Sequence, residues 1–108
     1  MKKPLVRMVK LNGLQYNANR DPQAYRRTVG ELFSLQALLD GSGEAKCSLT
    51  GSNGLQLASG KLARPGLFSA ELRFDTPGSR LVTLRVTSGA ESYEQTLRLD
   101  ALAAEPMH

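Results

Sequence analysis

The sequence predicts an all-β domain, an antiparallel sandwich of roughly six to eight strands. Three observations lead there. Apolar and polar residues alternate with a period of two through most of the chain between Leu5 and Leu99. Turn residues (Asn-Gly, Pro-Gly, Ser-Gly) interrupt that alternation about every 8–12 residues. The clearest runs stand together between Arg64 and Asp100, where they read as a three-stranded meander.

Taken in order, Leu5 to Leu11 places Leu5, Arg7, Val9 and Leu11 on one side and Val6, Met8 and Lys10 on the other. Both faces are semi-apolar, which suits a strand at a sheet edge or one crossing between sheets. Asn12-Gly13 signals a turn into Leu14-Gln15-Tyr16. Residues 17–28 form a polar, basic connection. The segment 29–39 carries two readings. Asp21-Pro22, the capping-box pattern Thr28-x-x-Glu31 and Gly41 would frame a helix, but Gln36 breaks its apolar stripe and Gly30 costs about 1 kcal/mol against Ala. A strand instead turns Phe33, Leu35, Ala37 and Leu39 inward. The strand is preferred because a sandwich needs it and strands follow; a short helical turn near residues 22–27 is compatible with either.

Asp40-Gly41-Ser42-Gly43 then reads as a loop, and Ala45, Cys47 and Leu49 as the inward side of the next strand. Asn53-Gly54 supports a hairpin into Leu55–Ala58, Ser59-Gly60 breaks the run, and Arg64-Pro65-Gly66 forms a tight turn. In the meander Phe68, Ala70, Leu72 and Phe74 face inward, then Val82, Leu84 and Val86, then Tyr93, Leu97 and Leu99. Residues 1–100 form one domain on this reading, with 101–108 a flexible tail.

At 108 residues the chain can bury something like 60–70% of its unfolded surface in a single core. With no Trp and three Phe, that core consists mainly of Leu, Val and Ala. The lone Cys47 excludes an intrachain disulfide framework. No stretch approaches the roughly 20 apolar residues of a membrane span. Arg7 and Lys10 interrupt any signal-peptide core, so a cytoplasmic location is expected unless the chain was cut from an exported protein. The net charge of +4 is uneven: residues 1–27 hold seven basic side chains against one acidic, and residues 28–108 hold seven against nine. An acidic partner would meet the N-terminal quarter first.

Residues 28–100 resemble bacterial immunoglobulin-like domains. The likeness rests on Thr28-Val29-Gly30-Glu31-Leu32-Phe33-Ser34-Leu35-Gln36-Ala37, on Pro65-Gly66-Leu67-Phe68-Ser69-Ala70 and on Pro77-Gly78-Ser79-Arg80-Leu81-Val82-Thr83-Leu84. The family's core Trp is missing, no second Cys exists for an inter-sheet bridge, and Arg80 stands where many relatives have an aromatic. The resemblance implies an immunoglobulin-like sandwich used for adhesion, spacing or protein binding.

The residue types that carry catalysis are sparse. The only histidine is the terminal His108, and Cys47 lies on an alternating strand among inward neighbours, the pattern of a buried thiol. No Cys, His and Met set has metal-ligand spacing, and the carboxylates of Asp40 and Glu44 or Glu91 and Glu94 match no calcium loop. Gly41-x-Gly43 lacks the rest of a phosphate loop or dinucleotide fingerprint. The expectation is therefore a non-enzymatic protein-interaction or structural module without cofactor or metal, pairing with another protein or itself through a sheet edge. The candidate interaction surface is Tyr16, Arg20, Tyr25, Arg26 and Arg27, where aromatic and basic side chains interleave. The alternative use of that surface is binding an anionic ligand or nucleic acid.

Overall fold

A computed structural model describes residues 5–16 and 25–103. The fold is all-β: β1 (Val6–Leu11), β2 (Leu14–Gln15), β3 (Arg26–Thr28), β4 (Leu32–Gly51), β5 (Gln56–Arg73), β6 (Gly78–Ser88) and β7 (Glu91–Leu102). They join in one mixed, curled sheet of order β2-β1-β4-β6-β7-β3, with β5 branching off β4. All pairs are antiparallel except β3 with β7.

The long β4–β5 hairpin is the frame. The first half of β4 pairs with β1 and with the second half of β5. Its second half pairs with the first half of β5 and with β6. Asn53-Gly54 closes the hairpin as expected, with Leu55 N donating to Asn53 Oδ1 at 3.0 Å and Gly54 N to Gly51 O at 2.9 Å.

Midway, the hairpin bends. Leu39 faces Gly66 and Gly43 faces Arg64, so β4 advances four positions while β5 advances two. The two extra residues are an even number, so the inward side of β4 is preserved and Leu39 and Ala45 are both buried. On β5 the bend is tight enough that a Cβ on Gly66 would lie 2.6 Å from the Ala63 carbonyl oxygen. The Phe68 ring reaches to 3.4 Å from where a Gly60 Cβ would stand, although eight extended residues would separate the two Cα atoms by about 26 Å. The sheet thus folds over on itself. Phe33, Leu35, Ala37, Leu39 and Phe68 from one half join Ala45, Cys47, Leu49, Val82, Leu84, Val86, Leu97 and Leu99 from the other in one core. Each fully buried leucine there contributes about 2 kcal/mol of transfer free energy.

Several expectations are corrected. The three-stranded meander forms only in its second half: β6 and β7 pair antiparallel as expected, but β5 pairs with β4 and not with β6, and β6 takes its place beside the second half of β4. Asp40–Gly43 and Arg64–Gly66 form a bend inside two long strands, and Ser59-Gly60 continues β5 in register opposite Ser48 and Cys47, so none of the three is a break between short strands. In β1 a register shift between Val6 and Met8 pushes Arg7 outward and lets both Val6 and Val9 reach the core. Segment 29–39 is strand from Leu32 onward. The capping-box pair does meet, with Thr28 N donating to Glu31 Oε1 and Glu31 N to Thr28 O, each at 3.0 Å, but it closes a turn into β4 and not a helix. Of the helical turn expected near 22–27, residues 22–24 lie outside the described residues, Tyr25 is helical, and the last two positions belong to β3. β7 runs to Leu102 with Ala101 buried, two residues past the expected domain end; residues 104–108 lie outside the description.

Candidate functional site

Three places gather polar side chains. The first is a seam between the two ends of the curled sheet. Here Tyr16 follows directly on β2, β3 begins after Tyr25, and β7 passes beside both. The Tyr16 hydroxyl accepts from Arg98 N at 2.8 Å, standing in for a missing ladder bond on the β7 edge. Tyr16 and Tyr25 meet edge to face at 6.4 Å, and the guanidinium carbons of Arg26 and Arg98 each lie 5.6 Å from the Tyr25 ring centre. Asp100 sits beneath them, 5% exposed, with Arg98 Nε 2.9 Å from Oδ1 and Arg26 Nε 3.4 Å from Oδ2. Burial alone would raise the Asp100 carboxyl. Hydrogen bonds from Arg98, Ser79 and Arg26 outweigh that and hold it below the usual carboxylate value.

The structure therefore brings Tyr16, Tyr25 and Arg26 together. Tyr25 is 3% exposed and belongs to the core, and Arg26 is engaged by Asp100. Arg27 donates from Nη1 to the Arg26 carbonyl at 2.9 Å. Arg20 lies outside the described residues. Alternation on β7 marks Leu97 and Leu99 but gives no sign of Asp100, which lies on the opposite side and is buried by arginines arriving from β3 and from its own strand.

The second place is the bend. The two extra residues of β4 take carbonyls out of the ladder, and Arg64 satisfies them: Nε donates to Asp40 O at 2.6 Å and Nη1 to Ser42 O at 3.2 Å. The β6–β7 turn completes the shell, with Ser88 Oγ 3.0 Å and Glu91 Oε2 2.9 Å from Nη1. Ser88 Oγ in turn donates to Glu44 O at 2.7 Å. The Arg64 side chain is 5% exposed and lies at the back of an open hollow of about 750 Å³ between Gly41–Glu44 and Ser88–Glu91. Two carbonyls, a hydroxyl and a carboxylate would suit a hard cation, but the guanidinium already occupies their centre.

No protein-family model matches the chain, and no curated protein aligns with it significantly. Its chemistry is therefore read from these side chains alone.

Glu94 pairs with Arg85 across β6 and β7, with Arg85 Nε at 2.9 Å. Cys47 is 2% exposed, and burial raises its thiol above the ordinary value, which lowers the thiolate fraction. The third place is the outer face of β4, β5 and β6, where Lys46, Lys61, Arg85, Ser48, Ser59 and Thr87 line a shallow depression of about 300 Å³.

Proposed function

We propose that this chain is a non-catalytic interaction module of the immunoglobulin-like kind, binding by strand addition at the β5 edge with a second copy of itself as the first partner to test. One observation carries the reading: among the described residues β5 pairs only with β4, which leaves the run Gly66 to Arg73 open along its far side. An open edge offers backbone donors and acceptors in register, and alternate side chains select the partner. On this run Leu67, at 50% exposed, Ser69, Glu71 and Arg73 point away from the core, while Phe68 and Leu72 point into it. The first half of β5 is guarded by Lys61 and Pro65, residue types that discourage edge pairing. The carboxylates that could serve chemistry, Asp100, Glu91 and Glu94, are each held by arginine, which favours a binding role over catalysis.

Size-exclusion chromatography with light scattering over a concentration series tests this. The wild type is expected to dimerise, and Leu67→Lys with Ser69→Lys, both at exposed positions, to remain monomeric with unchanged melting. A wild type that stays monomeric at every concentration, or a variant that associates equally well, overturns it.

A further inference from the structure

We propose that the outer face of β4, β5 and β6 binds a compact, multiply charged phosphate ligand between Lys46, Lys61 and Arg85. Lys46 on β4 stands directly across from Lys61 on β5, both exposed. On its other side Lys46 faces Thr87 of β6, and Ser48, the next outward residue on β4, faces both Ser59 and Arg85. Directly opposed side chains have Cβ atoms about 5 Å apart, and like charges so placed repel.

Several strand arginines pair with carboxylates: Arg64 with Glu91, Arg85 with Glu94, Arg98 with Asp100. No ion pair engages Lys46 or Lys61 among the described residues. Glu44, two residues along β4, is the nearest acidic position on that strand and pairs with neither. Edge protection accounts for Lys61, since β5 is an outer strand. It does not account for Lys46, because β4 is hydrogen-bonded on both sides at that point.

The ligand class follows from the lining. Two ammonium groups attract the oxyanion, Ser48, Ser59 and Thr87 supply hydroxyl donors, and the guanidinium of Arg85 lies at the margin with its charge shared with Glu94. No aromatic ring lines the depression, so nothing there would stack on a nucleobase. At about 300 Å³ it accommodates a di- or triphosphate group. The inference is independent of the β5 edge reading, because it uses the face of the sheet and not its rim.

The test is a titration of the ¹⁵N-labelled chain with sodium tripolyphosphate, against sodium chloride at matched ionic strength. Saturable shifts are expected in the amides of residues 46–48, 59–61 and 85–87. Affinity should fall roughly tenfold in Lys46→Gln with Lys61→Gln. Without ligand that variant should melt at or above the wild-type temperature, since the repulsion is gone. If it does not fold, Lys61→Gln alone takes its place, with a smaller loss expected. The proposal is overturned by the absence of saturable shifts, by equal shifts with chloride, by shifts confined to Arg26 and Arg27, by binding of single-stranded DNA but not tripolyphosphate, or by a variant that binds as tightly as wild type.

Discussion

Gly41 and Arg64 fit together in only one way. Gly41 has a φ of 98° in the extra length of β4, and a Cβ there would collide with the Arg64 guanidinium. That guanidinium is what satisfies the carbonyls which the bend removes from the ladder. Gly41→Ala therefore meets two costs, a left-handed backbone and the displacement of a buried cation. Gly54, at φ 84° with open space around it, carries only the first. Urea unfolding should show Gly54→Ala losing about 1 kcal/mol and Gly41→Ala at least about 2 kcal/mol more. Equal losses would mean that Arg64 yields without consequence.

Arg64→Met keeps the apolar stem and removes the donors. The carbonyls of Asp40 and Ser42 and the carboxylate of Glu91 then lose their shared partner. Hydrogen bonds to charged groups are each worth about 2 kcal/mol, with water restoring part of the loss in an open hollow. A net destabilisation of about 2–3 kcal/mol is expected in chemical denaturation. A neutral result would show that the bend is set by backbone geometry alone.

The seam makes stability depend on pH. Folding lowers the Asp100 carboxyl below its ordinary value of 3.8, so its contribution is complete above that value and is lost as pH falls through the lower folded one. Melting temperature measured across acid pH should fall less steeply for Asp100→Asn than for wild type, whereas near neutrality the variant should be the less stable by about 2 kcal/mol. Parallel curves would remove Asp100 from the acid response.

How much of this was visible in the sequence depends on the range of the interaction. Inward alternation at Phe33, Leu35, Leu49, Leu84 and Leu97 is a local signal, and each of these residues is buried. The turn chemistry of Asn12-Gly13 and Asn53-Gly54 is equally local. Arg64-Pro65-Gly66 shows the contrast, because its residues specify a sharp change of direction without saying whether the chain begins a new strand or bends an old one. Pairing between Leu39 and Gly66 decides that, and period-two alternation carries no information about which strand lies beside which. The burial of Tyr25 is hidden for the same reason: its ring is 3% exposed, while Arg26 stays exposed above Asp100, 74 residues further along the chain.

Tyr16→Phe isolates the bond that ties β2 to β7. The ring and its contact with Tyr25 remain, and only the acceptor for Arg98 N is lost. A stability loss of about 1 kcal/mol is expected. Amide hydrogen exchange is the sharper measurement: protection at Arg98 should drop while that of Leu84, within the core of β6, falls only by the global change. Unaltered protection at Arg98 would show that the sheet closes without this hydroxyl.

Cys47 reports on the integrity of the folded-over core. It is 2% exposed, sits opposite Gly60 on β5 and Val86 on β6, and its thiol is raised by burial. Thiol-specific reagents act through the thiolate, so both accessibility and ionisation oppose reaction in the native state. Labelling of wild type in native buffer should be slow and should accelerate in denaturant along the same transition seen by circular dichroism. Arg64→Met, which loosens the bend, should label faster than wild type under native conditions even where its overall secondary structure is unchanged. Fast native labelling of the wild type would instead mean that the two halves of the sheet separate readily, and that the hairpin bend is a hinge and not a fixed corner.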